Sequence, residues 1–322
     1  MDIRVAIDNL RSSYPSVGGT LDLIQNIRFE ISSLPIEEFF EPVSVIDMSN
    51  KRHKLDSIIP ESLTAWTKHI AYSTRVRMGA LEPAVLSELA EGRVLASMVM
   101  IRSHMEIAGL AALCEVTLIQ AVHTRDIEPL RILIPKTLFG TSLARDAKKD
   151  QLWQDILLMS EQEGITICSA IEAMDNFTSP DKDWVRYRRF YAILCDYAHP
   201  NYRGVKGFVQ LLREDKEGWV VKYKDTEEIE DAHVNIALQM LSDNMRIGYA
   251  ASELLRLARF PGSVTELDYV SASEEEIERI WTRIVQLPFN DDEPDNGHYY
   301  APSNKEMHQV AVFRPQVISS VR

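Results

Sequence analysis

Residues 94–122 read VLASMVMIRSHMEIAGLAALCEVTLIQAV, and this stretch decides the class of fold. It is apolar almost all round a helix of 3.6 residues per turn, which indicates a helix covered by other elements on every side. Pro83 is well tolerated in a first helical turn, so we expect this helix to run from about residue 82 to residue 122. Such a helix needs several partners, and the sequence therefore predicts a helical bundle with residues 82–122 at its centre.

Helical periodicity recurs on both sides of this central run. The further predicted helices lie near 21–31, 61–78, 151–174, 181–198, 229–259 and 274–286, with a short one after residue 123 that ends at Ile134-Pro135. Between residues 207 and 224, two runs typical of strands flank a turn, which predicts a β-hairpin. The predicted fold class is mainly α: an antiparallel helical bundle with one β-hairpin insertion at about 207–224.

The composition along the chain suggests three regions. Residues 1–60 look peripheral, residues 61–262 form the helical core with its hairpin, and residues 263–322 form an acidic C-terminal extension. Within that extension, residues 288–304 are rich in Pro, Asp, Asn and Gly, which is typical of a loop or a disordered segment.

Charge and composition narrow the class of protein. The chain has 322 residues, of which 45% are hydrophobic, so it can bury a large core. Its net charge of -13 opposes non-specific binding to nucleic acid or to an anionic membrane. The most apolar run, residues 107–122, is 16 residues long and contains Glu115, so we expect a buried helix and no membrane span. Three cysteines without CxxC spacing, and a start without a signal pattern, favour a cytoplasmic protein.

A basic island interrupts this acidic chain. Residues 184–204 read WVRYRRFYAILCDYAHPNYRG, and residues 181–206 carry six basic and three acidic side chains, a local charge of +3. Such an island attracts an anion such as a phosphate. An equally weighted interpretation is that Arg186 and Arg189 simply face solvent.

The island ends on a histidine. At helical spacing Arg188 and His199 share one face, and Pro200 ends the helix at His199. The helix dipole favours a protonated histidine at this end, and Asp196 one turn earlier strengthens that effect. Protonated His199 could donate a hydrogen bond to phosphate or act as a general acid. Alternatively, it caps its helix and packs against Tyr202.

A second polar group lies on the central helix. Arg102 and Glu106 are four residues apart, so they can pair on one stripe of that helix. A buried charge must be paired or hydrogen-bonded, and the favoured interpretation is an internal ion pair that sets the helix register. The other interpretation is that the pair supports a ligand site from behind.

Sequence patterns that would indicate a metal site or a catalytic nucleophile are weak. Asp196-x-x-His199 and Glu230-x-x-His233 have the carboxylate-x-x-histidine spacing of di-metal helix bundles, but such short patterns recur by chance. Cys195 lies one turn before His199 without a third group to orient a nucleophile. We therefore expect no metal and no cofactor.

Two motifs together resemble a known group of proteins. The first is Arg102-Ser103-x-x-Glu106, and the second is Tyr-x-x-Leu-Cys-x-Tyr-x-His-Pro-Asn over residues 191–201. The pair resembles helical-bundle proteins related to the HEPN domains, in particular a prokaryotic branch with an Arg-x-x-x-Glu helix and a late His-Pro. The resemblance covers about residues 60–260.

The resemblance implies a bundle that is often dimeric, in a group linked to RNA cleavage, nucleotide binding and prokaryotic defence or toxin systems. In cleaving members an arginine precedes the histidine by about five to seven residues. In this chain those positions hold Ala192, Ile193 and Leu194, and the nearest arginines are Arg188 and Arg189.

Three functional hypotheses follow. The leading one is a non-catalytic or weakly catalytic module that binds a nucleotide or an RNA phosphate. Its predicted ligand-binding residues are Arg188, His199, Tyr202 and Arg203, supported by Arg102, Glu106 and Asp196. The alternatives are a metal-independent HEPN-type ribonuclease with His199 and Arg188 as catalytic residues, and a structural protein that assembles through its C-terminal tail.

Overall fold

The computed structural model describes residues 2–34, 63–126, 128–139, 165–178, 185–199, 208–215, 218–224 and 229–258. These residues form eight α-helices and two strands: α1 (Ile3–Ser13), α2 (Gly18–Ser33), α3 (Leu63–Ala90), α4 (Val94–Thr124), α5 (Glu128–Phe139), α6 (Ile167–Thr178), α7 (Arg186–Ala198), β1 (Val209–Asp215), β2 (Gly218–Tyr223) and α8 (Asp231–Leu257). The described residues are thus mainly α-helical, with one hairpin among them. The predicted helix at 274–286, the loop at 288–304 and the C-terminal tail lie outside the described residues.

Helix α4 is central to the bundle. It packs against α3, α5, α6, α7 and α8. Its buried apolar residues include Met98, Ile101, Met105 and Leu118. Helix α6 comes close to α4 at Gly109, where an added Cβ would lie 2.9 Å from the Ala170 carbonyl oxygen. The apolar run of residues 94–122 is therefore central, as its composition predicts.

The predicted helix at 82–122 is wrong in its bounds, because the structure divides it between α3 and α4. Pro83 lies inside α3, which continues to Ala90. The chain turns at Gly92, whose φ of 77° is a left-handed conformation that glycine adopts at little cost. The predicted break at Ile134-Pro135 is also absent, since α5 runs through it. A proline only disfavours a helix locally, whereas the positive φ of Gly92 reverses the direction of the chain.

The N-terminal helices belong to the same hydrophobic core as α4. Asp2 caps α1, its Oδ1 accepting a hydrogen bond from the Arg4 amide at 2.8 Å. Both α1 and α2 bury aliphatic residues in that core, among them Ile7, Leu10 and Ile24. Residues 3–33, which the sequence places at the periphery, are therefore integral to the bundle.

Helix α8 is almost completely buried from Val234 onward and packs against α2, α3 and α4. Polar and charged residues are buried along it together with the apolar ones: Ser242, Asp243, Asn244, Arg246, Ser252, Glu253 and Arg256. Buried charges require partners, and neighbouring helices supply Arg186 to Asp243 and Arg75 to Glu253.

The predicted hairpin is confirmed. Strands β1 and β2 pair antiparallel, with Val209 opposite Tyr223 and Asp215 opposite Gly218. The register shifts between Leu211 and Arg213, so one strand carries an extra residue there.

Among the described residues, one helix is long and apolar enough to cross a membrane by length and composition alone. It is α4, in which Val94–Ala121 has a mean hydropathy of 1.3. Of the 18-residue stretch within it that meets these criteria, 56% is buried inside the bundle. The core helix of a bundle meets the same criteria, and α4 occupies that place here.

Candidate functional site

Helix α7 has one face that is buried against the core and one that is exposed. Tyr187, Phe190 and Leu194 are buried against the core. Arg188, which belongs to the predicted site, and His199, the residue that ends the helix, are exposed. Arg188 and His199 therefore lie on the accessible side of the helix.

The N-terminus of α7 is capped by a residue from another helix. Helix α7 has no side-chain cap of its own. Asp175 of α6 accepts hydrogen bonds from the amides of Tyr187 (2.8 Å) and Arg188 (3.3 Å) and from Arg188 Nε (3.0 Å). Burial raises the pKa of Asp175 above its ordinary value, although these hydrogen bonds oppose the rise. Arg188 thus helps to join α6 to α7, while 43% of its side chain remains exposed.

The interpretation that Arg186 faces solvent is wrong. Its guanidinium forms an ion pair with Asp243 of α8 and lies over the Phe190 ring, 5.1 Å from the centroid. Only 10% of the Arg186 side chain is exposed. Arg189 is exposed, in agreement with that interpretation. The basic island is therefore divided, because Arg186 belongs to the core and Arg189 to the surface.

Three side chains from α4 and α7 meet beside this surface and form what we call the Arg102–Glu106–Tyr191 cluster. Arg102 Nε donates to Glu106 Oε1 at 3.1 Å. The Tyr191 hydroxyl donates to the same oxygen at 2.9 Å and accepts from Arg102 Nη2 at 3.1 Å. The Arg102 guanidinium also lies 5.4 Å from the centroid of the Tyr191 ring. The helical pair predicted from its spacing is thus extended by a tyrosine from α7.

This cluster is half-exposed. The side chains of Arg102 and Glu106 are 29% and 33% exposed. The hydrogen bond to Tyr191 raises the pKa of Arg102, and burial raises that of the Tyr191 phenol. Arg102 is therefore a cation and Tyr191 a neutral hydroxyl at neutral pH. The pair is therefore not sealed in the core, and both charged side chains are accessible from solvent.

His199 stands at the C-terminal end of α7 with an exposed imidazole. Its backbone N–H donates to the Cys195 carbonyl at 3.0 Å, so the main chain closes the helix. Within the described ranges, the imidazole itself has no hydrogen bond or ion pair. Eleven residues separate it from Arg188, about 16 Å along the helix axis. Because Asp175 binds Arg188 at the far end of α7, one phosphate group cannot bind both side chains at once.

The remaining predicted residues contribute less. Asp196 is half-buried one turn before His199. Tyr202 and Arg203 lie outside the described residues. Cys195 is half-buried on the same face. The described part of the chain contains no group of three or more His, Cys, Asp or Glu side chains that could hold a metal ion.

Sequence reasoning missed two residues of this site. Tyr191 belongs to the motif at 191–201, but its contact with α4 depends on how the two helices pack. Asp175 carried no signal, because its partners are twelve and thirteen residues away across the α6–α7 connection. A search for a buried acidic residue just before an uncapped basic helix would have found it.

No protein-family model, curated protein or solved structure matches this chain. The resemblance to HEPN-related proteins consequently rests on the two motifs. In the structure, Arg102 and Glu106 of the first motif meet Tyr191 of the second. The arrangement offers a guanidinium, a carboxylate and a hydroxyl at one surface, with further cationic groups along α7.

Proposed function

We propose that this protein is a binding module for a phosphate-bearing ligand, a nucleotide or a segment of RNA, which lies along the outer face of α7. The observation that carries the proposal is the accessible side of α7, which presents Arg188 and His199 next to the half-exposed Arg102–Glu106–Tyr191 cluster. The resemblance to HEPN-related proteins supports the same class of ligand.

The geometry favours an extended ligand over a small anion. Arg188 and His199 lie about 16 Å apart along α7, with Tyr191 between them. A free phosphate could bind only one of these groups, whereas a nucleotide or an RNA strand presents a phosphate together with further hydrogen-bonding groups. The cluster is pre-organised by its own hydrogen bonds, which lowers the entropic cost of binding.

Calorimetric titration of the full chain with nucleoside monophosphates and a short RNA tests the proposal. We expect binding that weakens as the salt concentration rises, because it includes contacts to phosphate. The variants His199→Gln and Arg188→Gln each replace one side chain of this face and should weaken binding by about threefold to tenfold, the effect of losing one hydrogen bond of ordinary strength.

Matched controls are available on other faces. His233 is half-exposed at the start of α8 and Arg4 is exposed on α1, so His233→Gln and Arg4→Gln should leave the affinity unchanged. No binding by the wild-type protein, or equal losses in the site and control variants, would overturn the proposal.

The same samples test the ribonuclease alternative. A metal-independent ribonuclease would cleave the RNA in EDTA, and His199→Ala would abolish that cleavage. The structure favours binding over cleavage, because Arg188 is engaged by Asp175 far from His199. The third hypothesis, assembly through the C-terminal tail, concerns residues outside the described part of the chain.

A further inference from the structure

The Arg102–Glu106–Tyr191 cluster is poorly suited to bind the phosphate itself. Glu106 Oε1 lies 3.1 Å from Arg102 Nε, so the pair is electrically neutral. A phosphate at Arg102 would approach the Glu106 carboxylate, and two like charges at such distances repel each other. The cluster therefore calls for a neutral partner, while the phosphate is left to the other cationic groups along α7.

The unused atoms of the cluster define what that partner must offer. Tyr191 and Arg102 both donate to Oε1 of Glu106, which leaves Oε2 as an acceptor. Arg102 uses its Nε–H and one N–H of Nη2 in contacts with Glu106 and Tyr191, which leaves the second N–H of Nη2 and both N–H groups of Nη1 as donors. In the part of the chain that the structure describes, neither Oε2 nor Nη1 has a hydrogen-bond partner. A carboxylate acceptor thus stands beside a guanidinium donor at a half-exposed surface.

We infer that the Arg102–Glu106–Tyr191 cluster recognises a guanine-type base edge, with the two lone pairs of Glu106 Oε2 accepting from two neighbouring ring-edge N–H groups and Arg102 donating to the adjacent carbonyl. This inference rests on the proposed function, since it assigns the base of the ligand whose phosphate lies elsewhere along α7. Guanine offers N1–H and N2–H beside O6 on its Watson–Crick edge, which is where proteins read unpaired bases. Adenine offers an acceptor at N1 instead, which would face the carboxylate and repel it.

The planar guanidinium of Arg102 favours a flat base as the ligand over a sugar or a peptide. Tyr191 is half-buried with the Arg102 guanidinium over its ring, so the cluster presents a planar cation. Arginine planes stack on nucleic acid bases as well as forming hydrogen bonds to their edges. The hydrogen bonds within the cluster hold Arg102 and Glu106 in place before a ligand arrives.

Titration of the full chain with four ligands tests the inference: GMP, IMP, AMP and ribose 5-phosphate. We expect GMP to bind about tenfold to a hundredfold more tightly than AMP, the usual range for one well-made base contact. IMP lacks the 2-amino group and should fall between them. In the variant Glu106→Gln the preference for GMP over IMP should disappear, while the affinity for ribose 5-phosphate stays the same.

Glu172→Gln is the matched control, because Glu172 is exposed on α6 and outside the cluster. It should retain the wild-type order of affinities. Tyr191→Phe removes the hydroxyl that holds Arg102 and Glu106 together, and it should reduce the preference for GMP in a protein that still unfolds cooperatively.

The possible outcomes separate the two proposals. If the four ligands bind equally well, the base recognition is wrong and the binding of a phosphate-bearing ligand stands. If none of them binds, and RNA does not bind either, both proposals fail. A GMP preference that survives in Glu106→Gln would place the base elsewhere and overturn the inference.

Discussion

Helix α8 and the Arg102–Glu106–Tyr191 cluster use the same chemistry in opposite surroundings. On α8, Glu253 is bound by two guanidinium groups, with Arg256 Nε at 2.9 Å and Arg75 Nη1 at 3.6 Å. The Glu253 side chain is 1% exposed, against 33% for Glu106 of the cluster. The residue types and the distances are similar, and burial is what differs.

The difference in burial distinguishes charged groups that hold the fold together from charged groups that a ligand can reach. A fully buried carboxylate without its cationic partners costs several kcal/mol, so the partners on α8 are needed for the fold and cannot serve a ligand. A half-exposed pair is partly hydrated and adds little to stability. Glu82 belongs to the first kind, since Arg28 and the Tyr249 hydroxyl both bind it in the core. Glu106 belongs to the second.

The largest effect is expected from breaking a buried pair. Glu253→Ala leaves the Arg75 and Arg256 guanidinium groups without their carboxylate in the core, so we expect the free energy of unfolding to fall by about 3–5 kcal/mol. Urea denaturation followed by circular dichroism measures it. Glu230→Ala, at the exposed start of α8, should change little. If the two variants were equally stable, burial would not be what makes the Glu253 ion pairs important for the fold.

A buried carboxyl that has no cationic partner among the described residues should make stability depend on pH. Glu115 of α4 is 2% exposed, and burial raises its pKa from 4.5 to about 8. Between pH 5 and pH 7 the folded protein keeps a proton that the unfolded chain releases, so stability falls as the pH rises. Each unit of pH in this window corresponds to about 1.4 kcal/mol, or roughly 2–3 kcal/mol in all.

Glu115→Gln isolates this effect, because glutamine resembles the neutral acid and does not titrate. Urea denaturation of both proteins at pH 5 and pH 7 gives two changes in stability, whose difference belongs to Glu115. We expect the wild-type protein to lose more stability than the variant. Parallel losses would show that Glu115 titrates normally in the fold.

The smallest effect on stability is expected at the candidate site. Glu106→Gln should lower the free energy of unfolding by less than about 1 kcal/mol, because the pair is half-exposed. Thermal or urea denaturation measures this change, and the ligand titrations provide the functional comparison. If the free energy of unfolding fell as much as in Glu253→Ala, the cluster would be a structural ion pair like those of α8.

Much of the fold could be predicted from local pattern. The apolar run at residues 94–122 required a central helix, and the alternating runs around residues 209–223 required a hairpin. The boundary between α3 and α4 could not be predicted in this way. A proline is a stronger indication of a helix end than a glycine, yet Pro83 lies inside α3 and Gly92 makes the turn. The polar composition of α8 gave no indication that this helix is buried.

The candidate site was predicted only in part, for a related reason. Arg102 and Glu106 lie four residues apart, so their pairing follows from helical geometry. The contact of Tyr191 with both joins residues 85 and 89 positions apart, which no local spacing specifies. Arg188 and His199 share a face, as predicted, but the rise of the helix separates them.

The sequence by itself indicated most of the helical segments, the place of the hairpin and the shared face of Arg188 and His199, because these follow from short-range periodicity. Only the tertiary structure decided which arginines are available. Arg186 is buried against Asp243, Arg188 contacts Asp175 but keeps 43% of its side chain exposed, and Arg102 stays half-exposed beside Tyr191. The physical reason is that desolvation depends on what packs around a charge, and that is a property of helices distant in sequence.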